Sequence, residues 1–234
     1  MSAPTGSEWT VKVAARSRRI SLRVYPGGRV TVTVPPGTPP LTVERFVSKH
    51  RAWIDTQVAQ MKLRVAPTSD VAPKTIALTC FNESWAVSYQ SDKRAGWDSP
   101  QPGHLTVFAD SLAAPQWRDA LRAWLLSQAQ QRLAPWLAAV ANERGFHYQR
   151  AQIRRQRTRW GSCSKSGTIS LNVCLLFQPP AVVRYLLIHE LAHTVQMNHS
   201  ARFWQLVESH EPQWRELDKL LLKGWQNVPG WVYV

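Results

Sequence analysis

Three residues in the last quarter of the chain have the types and spacing of a metal site. His189, Glu190 and His193 follow one another in the order His-Glu-x-x-His. On an α-helix successive residues turn by about 100°, so both imidazoles would face one side and could bind a single ion. Glu190 would lie at the rim of that site, within reach of a water molecule activated by the metal. The spacing therefore predicts a hydrolytic zinc centre with Glu190 as its base.

A catalytic zinc centre needs a third protein ligand, and His199 is the first candidate. An unbroken helix would carry His199 about 80° away from the metal-binding side, so the helix must end before it. Asn198 can end the helix because asparagine tolerates the left-handed conformation, and Ser200 is a suitable cap for a new helix from Ala201. The alternative third ligands lie further along: Glu208, His210 and Glu211.

The residues around the histidines predict a buried helix. Pro179 and Pro180 suit its first turn, and the apolar residues that follow repeat with helical period. Its apolar face would comprise Val183, Leu187, Ile188, Leu191, Ala192 and Val195. A helix with one polar edge would hold the imidazoles in a fixed position.

Four successive segments resemble the signatures of the YgjP-like metallopeptidase family. They are RWGSCS (159–164), GTISLN (167–172), HELAH (189–193) and NHSARFW (198–204). The resemblance implies that His189, His193 and His199 bind zinc and that Glu190 is the catalytic base. The spacing from His199 to Phe203 also resembles the SprT-like and Spartan proteases. The ligand offsets match the metzincin pattern, but Gln196 stands where those enzymes have glycine, which argues against that group.

Hydrophobic periodicity and this resemblance together predict an α+β fold with two parts. Residues 1–113 would form a β-rich N-terminal region with one helix, and residues 114–234 a zincin-like catalytic domain. That domain would contain a backing helix, a small β-sheet, the His-Glu-x-x-His helix and C-terminal helices. The expected elements are a hairpin at 10–34 turning at Pro26-Gly27-Gly28, a helix at 41–63, a linker at 65–74, strands at 75–90 and 105–108, a loop at 96–103, helices at 114–143 and 211–222, and strands at 150–157 and 167–172.

The charge of the chain indicates an anionic partner. The formal net charge is +14 at pH 7. Basic residues dominate the first 43 residues, and residues 144–189 contain no Asp or Glu. Nucleic acid or an acidic peptide could bind these two basic stretches. An equally good explanation of the basic charge is that the chain comes from a proteome that favours arginine. The sequence leaves the oligomeric state open.

The remaining composition favours a cytoplasmic protein outside the membrane. No apolar run approaches the roughly 18 residues of a membrane span, and residues 1–13 lack the apolar core of a signal peptide. Cys80, Cys163 and Cys174 fit neither a disulfide framework nor a Cys-x-x-Cys metal site.

The expected reaction is hydrolysis of a peptide bond in a protein or peptide substrate, with one zinc ion per chain. Zinc would polarise the scissile carbonyl, and Glu190 would carry the proton to the leaving amine. Tyr185 and Arg159 are candidates for stabilising the oxyanion, and Gln196 for supporting the ligands. The alternative is a nucleic-acid-associated protein with a structural zinc and phosphate-binding arginines, or a protease recruited to DNA. Structural zinc usually has four protein ligands and only three are evident, which favours the peptidase.

Overall fold

The structure is a computed structural model that describes residues 9–25, 28–63, 71–110 and 116–233, with the backbone alone for residues 59–63. It divides into two compact units, residues 1–66 and 67–234. The boundary predicted between residues 113 and 114 lies outside the described residues, as do Pro26-Gly27 and most of the predicted linker. Residues 75–109 belong to the same unit as the helices that follow them.

The first unit contains a three-stranded sheet and two helices. Its elements are β1 (Trp9–Val13), β2 (Ser21–Val24), β3 (Val30–Val34), α1 (Pro40–Lys49) and α2 (Arg51–Leu63). Strands β2 and β3 form the predicted antiparallel hairpin, and β1 adds to β3 in parallel. The single helix predicted at 41–63 is wrong, because the backbone at His50 leaves the helical conformation with φ −105° and ψ 12°.

The second unit begins with a four-stranded sheet in the order β4-β5-β7-β6. Its strands are β4 (Thr75–Leu78), β5 (Glu83–Ser91), β6 (Gly96–Gln101) and β7 (His104–Ala109). The loop predicted at 96–103 is wrong, since Gly96–Gln101 pairs antiparallel with β7. The strand tolerates Pro100 because β6 lies at the sheet edge and its register is irregular between Asp98 and Gln101.

The rest of the second unit has the order expected of a zincin-like domain: backing helix, small sheet, metal helix, further helices. Its elements are α3 (Gln116–Arg144), β8 (Arg150–Arg154), β9 (Gly161–Cys163), β10 (Thr168–Asn172), α4 (Pro180–Ala192), α5 (Ala201–His210) and α6 (Trp214–Lys223). The small sheet has the order β8-β10-β9, with β8 parallel and β9 antiparallel to β10. The fold is therefore α+β, and β9 is a strand that hydrophobic periodicity did not predict.

Helix α4 lies in the centre of this unit. It contacts α3, α5, α6 and β9, and Val183, Leu187 and Ile188 are fully buried. Val195, which we expected on the same apolar face, is 58% exposed because α4 ends three residues earlier. Packing on all sides fixes the helix that carries His189 and Glu190. No helix among the described residues is both long and apolar enough to cross a membrane.

Candidate metal centre

The chain leaves α4 through a tight turn rather than through a left-handed asparagine. His193 follows the last helical residue, Ala192, and keeps a helical backbone with φ −67° and ψ −17°. The amide of Thr194 then donates to the Leu191 carbonyl at 2.9 Å. Among the non-glycine residues that the structure describes, only Asn82 has a positive φ, so the left-handed conformation expected at Asn198 is wrong.

The next helix begins where the sequence predicts. Ser200 caps α5, and its hydroxyl accepts a hydrogen bond from the amide of Phe203 at 3.4 Å. This cap fixes the start of α5 after a connection that spans residues 193–200. His199, immediately before the cap, is thereby returned to the side of α4 that carries the other two histidines.

The turn brings three imidazoles together. One nitrogen from each of His189, His193 and His199 can be chosen so that all lie within 4.8 Å of one another. The Nε2 atoms of His189 and His199 are 3.2 Å apart. Two nitrogens bound to one tetrahedral zinc at 2.0–2.1 Å lie about 3.3 Å apart, so this separation suits a shared ion.

The alternative third ligands are engaged elsewhere. Glu208 pairs with Arg215, and Glu211 lies 3.7 Å from Arg184. His210 packs against Phe146 with ring centroids 4.7 Å apart. Within the described part of the chain, the group of side chains able to hold a metal is therefore the three histidines.

A backbone carbonyl orients His193. Its Nδ1 lies 3.0 Å from the carbonyl oxygen of Gln196. Because a carbonyl can only accept, Nδ1 must carry the hydrogen, which leaves the Nε2 lone pair free for a metal. The contact to His193 is made by the backbone of Gln196 and not by its side chain.

Tyr185 and Asp218 orient His189 in the same way. The Tyr185 hydroxyl donates to Asp218 Oδ1 at 2.9 Å and lies 3.4 Å from His189 Nδ1. Since its one hydrogen is used on Asp218, the hydroxyl accepts from His189 Nδ1 and again leaves Nε2 free. The sequence did not predict a role for Asp218, because this residue lies on α6 and no spacing rule links it to His189.

Aromatic rings pack against the three imidazoles. The Phe203 ring centroid lies 5.0 Å from His189, 4.4 Å from His193 and 4.8 Å from His199. Trp204 stacks on His199 at 5.5 Å and on Trp214 at 4.2 Å. Rings packed against the imidazoles restrict their rotation, so the nitrogens keep their positions.

Glu190 is buried beside the histidines. Its side chain is 4% exposed, and Oε2 has no hydrogen-bond partner among the described residues. Burial raises the pKa of this carboxyl to about 8, and the positive charge of Arg159 opposes the rise. Burial also lowers the pKa of His189 to about 3, so this imidazole is neutral and available as a ligand.

Strand β9 packs closely against the Glu190 carboxylate. A Cβ atom at Gly161 would lie 2.6 Å from Glu190 Oε1, so the position accommodates only glycine without displacement of the glutamate. The resemblance singled out the Gly161 segment, and its role becomes visible only through this contact between β9 and α4.

Asn172 holds the loop that leads into β9. Its Nδ2 donates to the carbonyls of Gln156 at 2.8 Å and Arg159 at 2.6 Å, and its Oδ1 accepts from the Cys174 amide at 3.1 Å. Trp160 in the same loop stacks on Trp225 with centroids 4.1 Å apart. Both side chains therefore shape the loop.

A pocket of about 350 Å³ opens in front of the histidines. Its lining combines ligands, the buried carboxylate and the β9 strand: Arg159, Gly161, Ser162, Cys163, His189, Glu190, His193, Met197 and His199. Three imidazole donors, two of them with the hydrogen fixed on Nδ1, suit a transition metal such as zinc better than magnesium or calcium, which prefer oxygen. The pocket leaves one side of such an ion accessible to a substrate.

One family model matches most of this chain. The family model described as "YgjP-like, metallopeptidase domain" matches residues 18–223. Among solved structures, the chain is similar to the crystal structure of the metallopeptidase zymogen of Pyrococcus abyssi abylysin, with 31% identity over 37% of this chain and 90% of that chain and a TM-score of 0.34. No curated protein matches the chain.

Proposed function

We propose that this chain, which belongs to the YgjP-like metallopeptidase family, hydrolyses peptide bonds with one zinc ion held by His189, His193 and His199. The observation that carries the proposal is the arrangement of these three imidazoles, with one nitrogen of each within 4.8 Å of the others, in the same pocket as Glu190. Glu190 Oε2 is buried and has no hydrogen-bond partner among the described residues.

The chemistry divides between the ion and the chain. When bound, zinc would polarise the scissile carbonyl and lower the pKa of a water molecule toward 7. Glu190 accepts a proton and returns it to the leaving amine, and its raised pKa suits a group that must do both. Arg159 lines the pocket and is our candidate for the oxyanion. Tyr185 is assigned a positioning role instead, because its hydroxyl hydrogen is committed to Asp218.

The substrate would be an extended peptide beside β9. The strand order leaves β9 at the edge of the small sheet, and Ser162 and Cys163 of this strand line the pocket. A peptide that pairs with an exposed strand gains main-chain hydrogen bonds of the kind used in strand addition. A structural zinc site, as the nucleic-acid alternative requires, would be closed by a fourth ligand, whereas the three histidines face a pocket.

The test compares four proteins for metal content and for cleavage of casein and a peptide library. They are the natural chain, Glu190→Gln, His199→Ala and, as a histidine outside the cluster, His210→Ala. We expect about one zinc per chain in all but His199→Ala. Cleavage should fall by about 100-fold or more in Glu190→Gln and be kept in His210→Ala. Full zinc content in His199→Ala would overturn the ligand set, and full activity in Glu190→Gln would overturn the mechanism.

A further inference from the structure

The outer face of the small sheet is polar throughout. Side chains of β8, β9 and β10 alternate, and the apolar ones, such as Ile169 and Leu171, face the core. Among the described residues, the opposite face carries guanidinium, amide and hydroxyl groups and no carboxylate. Its members are Arg150, Gln152, Arg154, Ser162, Ser164, Thr168 and Ser170.

These side chains line a groove that shares three lining residues with the metal-site pocket. The groove has a volume of about 460 Å³ and is also lined by Gln156 and Arg159. Arg159, Ser162 and Cys163 line both the groove and the pocket. Arg150 and Arg154 lie about 13 Å apart along β8, because a strand rises about 3.3 Å per residue. The groove therefore matches about four residues of an extended peptide. We refer to it as the arginine groove.

Ion pairing distinguishes the arginines of this groove from others that the structure describes. Several arginines elsewhere pair with carboxylates, as Arg132 does with Glu83 and Arg184 with Glu143. Among the described residues, Arg150, Arg154 and Arg159 form no ion pair. Arg154 donates to Gln152 Oε1 at 2.8 and 3.2 Å, which orients its guanidinium without neutralising it.

We propose that the arginine groove is the subsite for acidic side chains of the peptide substrate, so that the enzyme prefers Asp and Glu within about four residues of the scissile bond. This inference rests on the proposed peptidase function. Guanidinium groups bind carboxylates through paired, charge-assisted hydrogen bonds, and the hydroxyls of Ser162, Thr168 and Ser170 can add further donors. The described lining contains no aromatic ring on which a nucleic-acid base could stack, which favours a peptide over single-stranded nucleic acid.

The experiment uses two matched peptide libraries, one containing Asp and Glu and one in which Asn and Gln replace them. Cleavage is followed for the natural chain, for the double variant Arg150→Gln and Arg154→Gln, and for Arg155→Gln. Arg155 is the control because it is an exposed arginine next to Arg154 that is outside the groove lining. We expect the natural chain and Arg155→Gln to cleave the acidic library with a kcat/KM about tenfold higher, mainly through KM. The double variant should lose this preference and keep its rate on the amide library.

A binding measurement separates failure of the inference from failure of the proposed function. Fluorescence anisotropy of labelled acidic and amide peptides and of a single-stranded DNA oligonucleotide is recorded with Glu190→Gln, with and without the two groove substitutions. Cleavage without acidic preference would overturn the groove assignment and leave the peptidase function standing. Groove-dependent binding of acidic peptides by a chain that cleaves nothing would support the groove and overturn the function. Tighter, groove-dependent binding of DNA than of acidic peptides would overturn the peptide assignment.

Discussion

At the scale of single residues, the site depends on a glycine, which has no side chain. Glu190 lies directly under Gly161, where any Cβ atom would come within 2.6 Å of its carboxylate. The φ angle of Gly161 is not positive, so other residue types could adopt its backbone conformation. Space beside Glu190, rather than backbone freedom, therefore requires glycine at this position.

We predict that Gly161→Ala lowers kcat by about 100-fold while zinc content is kept, because the added methyl group displaces Glu190 from the pocket. Steady-state cleavage and metal analysis measure the two effects. Gly96→Ala is the matched control, since Gly96 also lies in an edge strand and a Cβ there meets nothing within 4 Å. Unchanged kcat in Gly161→Ala would show that the position of Glu190 is not critical.

The contact between Tyr185 and Asp218 determines how His189 presents its Nε2 atom. We predict that Asp218→Asn weakens zinc binding by about 10- to 100-fold. The asparagine amide can donate to the Tyr185 hydroxyl, which then donates its own hydrogen to His189 Nδ1 and moves the ring hydrogen onto Nε2. Competition with a chelating dye measures the affinity. Glu216→Gln on the same helix, where the glutamate pairs with Lys219 at the surface, should bind zinc normally. Equal zinc affinities of the two variants would show that Asp218 does not support the metal ligands.

At the scale of elements, the loop between β8 and β9 places Arg159 and Gly161 against α4. Asn172 holds this loop with two side-chain hydrogen bonds, accepts a third from the Cys174 amide, and is fully buried. Buried backbone groups that lose their partners are costly, so the loop and β9 depend on this one side chain.

We predict that Asn172→Ala destabilises the protein by about 2–4 kcal/mol, because it leaves two carbonyls and one amide without partners. It should also lower cleavage, since Gly161 and Arg159 are no longer held in place. Urea unfolding gives the free energy of unfolding. Asn227→Ala removes an exposed asparagine with one 3.3 Å hydrogen bond and should cost less than about 1 kcal/mol. Similar losses in both variants would contradict the role of Asn172.

At the scale of the whole molecule, an ion at the three histidines would tie α4 to the turn that precedes α5. Because zinc binds the folded chain in preference to the unfolded one, it should stabilise the fold by about 2.7 kcal/mol at a free concentration 100 times the dissociation constant. For a chain of this size, that corresponds to an increase in Tm of about 5–10 °C.

We therefore predict that a chelator lowers the Tm of the natural chain by this amount and that added zinc restores it. The Tm of His199→Ala should change little under either treatment. Differential scanning calorimetry measures both proteins. An equal response of the natural chain and His199→Ala would contradict metal binding at this cluster.

The sequence by itself predicted the metal helix, the cap at Ser200 and the candidate ligands, because these depend on spacing within a few residues along the chain. The predicted α+β class and the predicted order of elements in the zincin-like domain were confirmed. They also rested on local periodicity, together with the family resemblance. Predictions were wrong where distant residues decide the outcome. Gly96–Gln101 became a strand because β7 lies beside it, and α4 ended in a tight turn without a left-handed asparagine.

Only the tertiary structure decided how the site is supported. Asp218, Gly161 and Asn172 act across elements that are far apart in the chain, through contacts that no local pattern contains. The arginine groove likewise exists because strand pairing places residues of β8, β9 and β10 on one face. Local spacing determines which side chains can carry the chemistry, and packing between elements determines their orientation, burial and access to a substrate.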